Sequence, residues 1–506
     1  MKTEHALSLE FYRLRDLRAL IERPVTLGLA SEVAARITSG ADFVQRKALE
    51  DRFIYGVNTG FGSLCETRVS ASEVEELQYN HILSHACGVG ELVPESTVRL
   101  MMILKLLTFR TGHTGISLPT VHRLLELFNE DVLPAVPSKG TVGASGDLAP
   151  LAHMALPLIG LGKVHFRGEV VDAAAVWREK GWEPLELKAK EGLALTNGVQ
   201  YINAVAASCL IEIEDLVRCA DVIAALSIQS FSAARTFYQA PYHETSFHEE
   251  RRAVAANRRK LLDGSNPADL PTGNRSMQDP YSFRCIPQIH GAVRQVVRFA
   301  VDIVEKECNS VSDNPLFFPE LDQILFGGNL HGESTALALD SLAMAVSELA
   351  SVSERRTYQL LSGQRGLPSF LVKSPGLHSG FMVVQYTSAA LVNENKVLST
   401  PASVDTIPTC QLQEDHVSMG GTSAHKLRQV VANCKYILAI ELLIAAQAAD
   451  FNEALQLSPV TREIHRSLRE AVPFLERDRV MNIDIETAHA FLHEKMRTWG
   501  EGLELA

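Results

Sequence analysis

Apolar positions spaced three and four residues apart recur over long stretches of this chain. In residues 336–363 the larger apolar side chains follow one such series, namely Leu339, Leu342, Val346, Leu349, Val352 and Leu360. That spacing is typical of an amphipathic α-helix. Residues 201–230 and 286–308 follow a similar pattern, and residues 424–450 are apolar almost all round. We therefore predict a bundle of long helices with 424–450 at its centre, and we expect a helix this apolar to be buried between subunits.

The pattern changes near Gly198, where a region of mixed character is followed by the long helical periods. We predict a mainly α fold with two domains. Residues 1–200 would form a smaller, mixed N-terminal domain, and residues 201–506 would form the long central helical bundle and the C-terminal helices. A chain of 506 residues is long enough for both.

Composition and charge narrow the classes of partner. The chain is 46% hydrophobic and 21% charged, close to an ordinary soluble globular protein. Its net charge of −12 argues against a nucleic-acid or anionic-membrane partner, because both require a basic surface. The eight cysteines lack CxxC spacing, the N-terminal residues carry many charges instead of a signal peptide, and no long uninterrupted apolar run occurs. We therefore expect a cytoplasmic protein with reduced thiols.

Five polar, glycine-rich loops interrupt the helical pattern, at residues 55–62, 139–147, 262–276, 327–333 and 408–421. Each of them, taken singly, is more often structural than catalytic. Five such loops on one rigid helical frame are what an active site requires.

We expect neither a metal ion nor a nucleotide as a cofactor. His81 and His85 stand four residues apart and could seat a metal ion, but neither a metalloprotease glutamate nor a third ligand accompanies them. Residues 55–62 lack the Gly-Lys-Ser/Thr that a phosphate loop needs.

Other loops carry polar groups suited to a small polar substrate. Tyr281 and Arg284 offer a phenol and a guanidinium that can bind a carboxylate, and Asn329 and Glu414 stand in later loops. The structural alternative for the first pair is a surface turn capped by Asp279.

The segment GTVGASGDLAPLAHMA, residues 140–155, contains small residues that let a backbone fold onto itself. If the Gly146 nitrogen attacks the Ala144 carbonyl, a five-membered ring closes around Ser145. Loss of two waters, one of which takes the serine hydroxyl, leaves a methylidene-imidazolone, which is a stronger electrophile than any ordinary side chain. The alternative is a glycine-rich turn before a helix capped by Asp147. The chemistry alone leaves both open.

Seven segments resemble, in the same order, the motifs of the aromatic amino-acid lyases, the family of the histidine, phenylalanine and tyrosine ammonia-lyases. They fall within residues 55–421 and read YGVNTGFG, GTVGASGDLAPLAHMA, EGLALTNGVQ, QDPYSFRC, VSDNPL, GGNLHGE and QEDHVSMGG. The Ala-Ser-Gly element in its Gly-Asp-Leu context is highly specific. The resemblance implies a mainly helical homotetramer in which each active site draws loops from three chains. It also implies a reaction in which an L-α-amino acid yields ammonia and an α,β-unsaturated acid.

The resemblance also implies roles for individual positions. Ala144, Ser145 and Gly146 would form the prosthetic 4-methylidene-imidazol-5-one ring, so that no metal or nucleotide is needed. Tyr55 resembles the tyrosine that removes the β-proton of the substrate. Because a free tyrosine has a pKa near 10, that role requires an electropositive site, such as converging helix N-termini.

Arg284 resembles the residue that binds the substrate carboxylate, which a bidentate guanidinium suits better than a lysine does. The remaining polar shell around the ring and the substrate would comprise Tyr281, Asn197, Gln278 and Asn329.

Two positions bear on the identity of the substrate. His85, preceded by Ser84, matches the form of the histidine-specific members of the family. Glu414 stands where the phenylalanine and tyrosine enzymes usually carry a neutral residue. Its carboxylate can pair with an imidazole, but against a phenyl ring it would be an unpaired buried charge. We therefore expect histidine as the substrate and urocanate as the product, with a structural ion pair as the alternative role of Glu414.

Leu330 departs from the family pattern, which has Phe at this place, and it leaves the substrate open. The alternatives within the family are a tyrosine or phenylalanine ammonia-lyase and an aminomutase that returns ammonia to the β-carbon. An aminomutase stays open because lyases and aminomutases of the family share every residue named above. Residues 274–282 faintly resemble a signature of the fumarase and argininosuccinate lyase group, but that group lacks the Ala-Ser-Gly element. A helical scaffold whose ring never forms is the third alternative.

Overall fold

The computed structural model describes residues 2–50, 52–266, 278–503 and 505, so part of the predicted loop 262–276 lies outside the described residues. The described residues form eighteen α-helices and nine short strands, and the predicted mainly α fold is confirmed. The helices are α1 Leu14–Glu22, α2 Ser31–Ala48, α3 Val74–His85, α4 Glu95–Phe109, α5 Leu118–Asn129, α6 Leu148–Ala155, α7 Ala173–Lys180, α8 Glu191–Thr196, α9 Gln200–Ser230, α10 Ala240–Glu244, α11 Glu249–Leu262, α12 Tyr281–Arg284, α13 Ile286–Asn309, α14 Glu333–Leu360, α15 Met382–Leu398, α16 Gly420–Asp450, α17 Pro459–Ala471 and α18 Met481–Gly502.

The long helices predicted from apolar spacing correspond to α9, α13, α14 and α16, with shifted ends. Helix α16 begins at Gly420, four residues before the start that the sequence pattern indicated. Glycine is a poor helix former, so the pattern alone does not include it. Here the close approach of Thr141 requires glycine, because a Cβ on Gly421 would lie 2.6 Å from a Thr141 carbon.

The chain divides into two compact units, each built from three separate segments. Unit 1 comprises Met1–Ile211, Ala300–Asp340 and Pro401–His425, and unit 2 comprises Glu212–Phe299, Ser341–Thr400 and Lys426–Ala506. The predicted division at residue 200 follows the order of the sequence, whereas these units are discontinuous, and it stays a prediction.

Unit 1 carries the strands, all of them short. They are β1 Thr3–Leu7, β2 Val25–Leu29, β3 Val89–Leu92, β4 Leu133–Pro134, β5 Pro137–Lys139, β6 Lys163–Phe166, β7 Glu169–Asp172, β8 Leu316–Phe318 and β9 Gln323–Leu325. Strands β1 and β2 pair in parallel, and the pairs β3–β5, β4–β6, β6–β7 and β8–β9 are antiparallel. Helix α4 supplies much of the core of this unit, since its residues from Thr97 onward are buried apart from the partly exposed Arg99.

Unit 2 contains a buried ion cluster centred on Asp221. Its carboxylate accepts hydrogen bonds from His290 Nδ1, Arg294 and Asn257 at 2.8 Å each, and it also pairs with Arg258. Burial opposes the charge on Asp221, but the arginines and His290 hold the pKa of this carboxyl well below its usual range. Burial lowers the pKa of His290 to about 4, although its bond to Asp221 opposes the shift. His290 is therefore neutral at pH 7.

Two helices, α14 and α16, are long and apolar enough to span a membrane when only length and composition are considered. Their most apolar windows are 67% and 72% buried inside the protein, and a core helix passes the same test. Glu441 on α16 is itself buried and pairs with Arg356 at 2.5 Å. Because the protein buries α16 within its own chain, the apolar character of α16 does not by itself require a second subunit, contrary to our expectation.

Candidate active site

Tyr55 lies in the loop between α2 and α3. Its hydroxyl oxygen accepts a hydrogen bond from the backbone N–H of Gly62 at 3.1 Å. Burial raises the pKa of Tyr55 above its ordinary value, the Gly62 bond opposes this shift, and the charge of Glu414 adds to it. The described surroundings of Tyr55 in this single chain therefore do not supply the electropositive site that a tyrosine base needs.

The segment Ala144-Ser145-Gly146 forms a tight turn just before α6. Ser145 has a φ of 50° and Gly146 a φ of 76°, so consecutive residues occupy the left-handed region. A Cβ on Gly146 would lie 2.2 Å from the Gly198 carbonyl oxygen, so only glycine fits here. The backbone is thus folded back on itself, as a cyclising segment requires.

Asp147 precedes α6, but its side chain does not cap that helix. The carboxyl group is fully buried, and it accepts a hydrogen bond from the backbone N–H of Ile202 at 2.9 Å. Burial raises the pKa of Asp147 to about 7, against the effect of its hydrogen bonds. The alternative of a simple turn capped by the Asp147 side chain is therefore wrong in that respect, because the carboxyl ties the turn to α9.

Glu414 reaches the same turn from the loop before α16. The Ser145 hydroxyl donates to Oε1 of Glu414 at 2.9 Å, and the Thr409 hydroxyl donates to Oε2 at 2.7 Å. The carboxylate is therefore held in place by hydroxyl donors, one of them the hydroxyl that ring formation would remove.

Two cavities meet at this turn. The first has a volume of about 480 Å³, and its lining includes Tyr55, Phe61, His81, His85, Ser145 and Glu414. The second has a volume of about 440 Å³; it shares Tyr55, Gly62, Ser145 and Glu414 with the first and adds Ala144, Asn197 and Leu330. Six of the predicted site positions, all in unit 1, line these cavities, and Gly146 adjoins them in the same turn. The six are Tyr55, His85, Ala144, Ser145, Asn197 and Glu414.

The two histidines predicted as neighbours do lie together, with ring centroids 3.9 Å apart. His85 Nδ1 lies 2.7 Å from the carbonyl oxygen of His81. Because a carbonyl only accepts, Nδ1 carries the proton, and Nε2 of the neutral ring is an acceptor. Burial lowers the pKa of His85, which favours this neutral form. In the part of the chain that the structure describes, no group of three or more His, Cys, Asp or Glu residues could hold a metal ion.

Asn197 is almost fully buried at the end of α8. Its amide nitrogen donates to Asp313 at 3.0 Å and to the Asn314 carbonyl at 3.1 Å. Its Oδ1 atom is buried, and the described residues offer it no hydrogen-bond partner. An unpartnered buried acceptor on a cavity wall suits a donor from a ligand.

The remaining predicted residues lie elsewhere. Asn329 is exposed in the turn before α14, where it donates to the Val311 carbonyl at 3.4 Å. Gln278, Tyr281 and Arg284 belong to unit 2.

Tyr281 is 68% exposed, and the Arg284 guanidinium lies 4.7 Å from its ring centroid. Asp279 is not the cap of this turn, because it is only 5% exposed and accepts a hydrogen bond from the Ala234 N–H at 2.6 Å.

The sequence analysis missed two contributors to the site. Thr409 supports Glu414, as described above. Cys410 lines the first cavity, and its Sγ accepts from the Ser63 N–H at 3.2 Å, which ties the Tyr55 loop to the loop before α16. The only signal was that both residues belong to the polar loop 408–421.

Comparison with known proteins agrees with this geometry. The model of the family described as "Aromatic amino acid lyase" matches residues 12–470. The chain belongs to this family. A histidine ammonia-lyase of Symbiobacterium thermophilum is 44% identical over 481 residues, 95% of each chain.

Two solved structures of the family have the same fold. The histidine ammonia-lyase of Trypanosoma cruzi is 39% identical with a TM-score of 0.90, and the match covers 99% of this chain and 96% of that one. The tyrosine aminomutase of Streptomyces globisporus is 36% identical with a TM-score of 0.92, covering 99% and 98% of the two chains.

Proposed function

We propose that this protein is a carbon–nitrogen lyase that eliminates ammonia from L-histidine and gives urocanate. The observation that carries the proposal is the position of Glu414, whose carboxylate lies 2.9 Å from the Ser145 hydroxyl on the wall of both cavities. A carboxylate at that place can accept a hydrogen bond from an imidazole N–H, whereas a phenyl ring offers it no donor and no positive charge. The 44% identity to a histidine ammonia-lyase supports the same substrate.

We propose further that Ala144, Ser145 and Gly146 cyclise to the methylidene-imidazolone. Two features of the turn support cyclisation. Ser145 and Gly146 both have a left-handed backbone, and there is no room for a side chain on Gly146. Once formed, the ring supplies the electrophile that takes the substrate amine.

The surrounding residues would bind and orient histidine. Nε2 of neutral His85 can accept the imidazole N–H, while Glu414 stabilises the positive charge on that ring. The unpartnered Oδ1 of Asn197 can accept from the substrate ammonium group. The guanidinium of Arg284 would bind the substrate carboxylate in bidentate geometry. Tyr281, Gln278 and Asn329 would complete the polar shell.

Tyr55 would remove the β-proton, and its environment supports a site shared between subunits. Burial and Glu414 both raise the pKa of Tyr55 in the single chain, so a cation from outside must lower it. Tyr281 is largely exposed, and Nε of Arg284 is buried without a hydrogen-bond partner in the described residues. We therefore propose a homotetramer in which loops from three chains meet at each site.

We place this tetramer in the cytoplasm, with the amino-acid substrate as its partner and without a nucleic acid or a membrane. The net charge of −12 supports this placement, because it disfavours binding to polyanionic surfaces.

A second candidate is a tyrosine or phenylalanine ammonia-lyase or an aminomutase. It is favoured by Leu330, which lines the second cavity in place of the family's usual Phe, and by the similarity to a tyrosine aminomutase. An aliphatic side chain there changes the shape of the cavity wall near Ser145.

One substrate panel tests both candidates. The purified full chain is incubated with L-histidine, L-tyrosine and L-phenylalanine, and the ultraviolet absorbance of urocanate, coumarate and cinnamate is followed. Chromatography of the same samples detects any β-amino acid. The proposal expects urocanate as the main product. Coumarate or cinnamate in excess of urocanate, or a β-amino acid from any substrate, would replace it with the second candidate.

A further inference from the structure

We infer that Lys105 is a positioning residue that promotes backbone cyclisation at Ser145, an inference that rests on the proposed ring. Lys105 stands on α4, and its side chain is fully buried. Its ammonium group donates a hydrogen bond to the Asn197 carbonyl oxygen at 2.6 Å and a longer one to Oε1 of Gln200 at 3.4 Å.

The Asn197 carbonyl is connected directly to the cyclising turn. It belongs to the same peptide group as the Gly198 N–H, which donates to the Ser145 carbonyl oxygen at 3.3 Å. The Gly198 carbonyl in turn accepts from the Asp147 N–H at 2.7 Å. A cation on the Asn197 oxygen polarises this peptide group and strengthens the Gly198 N–H as a donor, because hydrogen bonds in a chain reinforce one another.

Ring closure requires protons to leave atoms next to that same Ser145 carbonyl. The Gly146 nitrogen bonds to the Ala144 carbonyl carbon, and its proton passes to the carbonyl oxygen. That hydroxyl leaves as water with the amide proton of Ser145. The Ser145 hydroxyl leaves as the second water, together with the Ser145 Cα proton. Electron withdrawal through the Ser145 carbonyl acidifies both the Gly146 N–H and the Ser145 Cα–H, so a stronger hydrogen bond there favours both losses.

A lysine at this place has an electrostatic consequence beyond packing. Burial lowers the pKa of Lys105 to about 7, and Asp313 opposes that shift, so about half of the side chains carry the ammonium form at pH 7. Asp313 itself is bonded to Lys190 at 2.8 Å, so it already has a cation partner. A methionine would fill the space of Lys105 without the cost of burying a charge. What the ammonium adds is its field at the Asn197–Gly198 peptide.

Thr108 on the same helix offers a matched control. It is also buried, and its hydroxyl accepts from Nε2 of Gln200 at 2.9 Å, so it shares the polar network of Lys105. Its hydroxyl bonds to Gln200 and donates to the Leu104 carbonyl oxygen at 3.0 Å, whereas Lys105 donates to the carbonyl of the 197–198 peptide. Thr108→Val is nearly isosteric and removes a buried polar group, as Lys105→Met does.

The experiment follows ring formation directly. The wild-type full chain, Lys105→Met and Thr108→Val are made by cell-free synthesis, and intact mass is recorded over time. Ring formation removes two waters, about 36 Da. Circular dichroism and the unfolding temperature report the fold. We expect folded Lys105→Met to lose this mass at least about tenfold more slowly than wild type, and Thr108→Val to lose it at the wild-type rate.

Each other outcome is decisive. Loss of mass by Lys105→Met at the wild-type rate overturns the inference and leaves the proposed ring intact. A wild-type chain that never loses the mass overturns the ring and, with it, this inference. If Lys105→Met does not fold, Lys105→Gln, which keeps a neutral donor, replaces it. Maturation of that variant at the wild-type rate, or its failure to fold, assigns Lys105 a purely structural role.

Discussion

The Ser145 hydroxyl donates a hydrogen bond to Oε1 of Glu414 at 2.9 Å, although 269 positions separate the two residues in sequence. One carboxylate thus contacts the hydroxyl that must leave when the ring forms and also lines the cavity in which a substrate would bind. Variants of Glu414 therefore need two readouts, one for the ring and one for the substrate.

Glu414→Gln should reduce turnover of histidine by about ten- to a hundredfold, because a charge-assisted hydrogen bond in a buried site is lost. Turnover of phenylalanine should stay the same or rise, since the variant removes a charge that a phenyl ring cannot pair. Steady-state kinetics with both amino acids measure the change in preference. Intact mass should still show the ring, because the glutamine oxygen also accepts a hydrogen bond. An unchanged preference would make Glu414 structural.

Ser145→Ala should abolish both the loss of about 36 Da and all lyase activity, because no hydroxyl remains to be eliminated. The fold should persist, since Ser145 lies in a partly exposed turn and not in the core. Mass spectrometry and the absorbance assay measure both effects. Ser145→Cys should retain some activity, because a thiol can also leave. Ser63→Ala, in the Tyr55 loop, is the control and should behave as wild type; near-wild-type activity of Ser145→Ala would rule out the ring.

Tyr55→Phe should form the ring normally but lose about 10²- to 10⁴-fold in turnover, the contribution of one general base. The pKa of Tyr55 is raised in the single chain, so below that pKa the phenolate fraction grows about tenfold per pH unit. If a cation from another subunit, such as Arg284, lowers the pKa of Tyr55, the rate should stop rising with pH at a point below pH 10. Arg284→Met should then shift that point to a higher pH. The pH profiles of kcat/KM for the wild type and Arg284→Met decide this.

The protein should be a tetramer in solution. Helices α13, α14 and α15 expose large apolar side chains, namely Phe299, Met344, Tyr358, Val383, Tyr386 and Val397. Covering them in an assembly removes apolar area from water. Light scattering should give four chains per particle, and Val383→Asp should give smaller, inactive species. An active monomer would contradict both the assembly and the shared site.

Acid should destabilise unit 2 through His290. The pKa of His290 is about 4 in the folded protein, against 6.5 for a free histidine, so the unfolded chain binds the proton more tightly. The contribution of His290 to the free energy of unfolding is complete above pH 6.5. It is lost as the pH falls towards 4, by roughly 3 kcal/mol in total. Unfolding temperatures between pH 7 and 4 measure this loss. The unfolding temperature of His290→Gln should fall less steeply with decreasing pH than that of the wild type. Equal slopes for the two proteins would refute this role of His290.

Local signals in the sequence predicted those parts of this protein that depend on interactions between residues close together in the chain. The spacing of apolar residues predicted helices at 201–230 and 286–308, and the structure has α9 and α13 there. The Ala144-Ser145-Gly146 element predicted a backbone turn, because small residues adopt left-handed conformations at a lower steric cost, and Ser145 and Gly146 both have positive φ. In both cases neighbouring residues carry the whole signal.

Tertiary structure alone decided which distant groups meet. Asp147 and Asp279 have the sequence features of helix caps, yet both are buried and bind backbone N–H groups far along the chain, at Ile202 and Ala234. The contacts of Ser145 with Glu414, and of Lys105 with the Asn197 carbonyl, likewise join separate segments. Local periodicity holds no information about such pairs, because a buried polar group takes whichever partner the packing of the whole unit brings within reach. The sequence determined the helices and the cyclising turn, and packing determined the electrostatic surroundings of that turn.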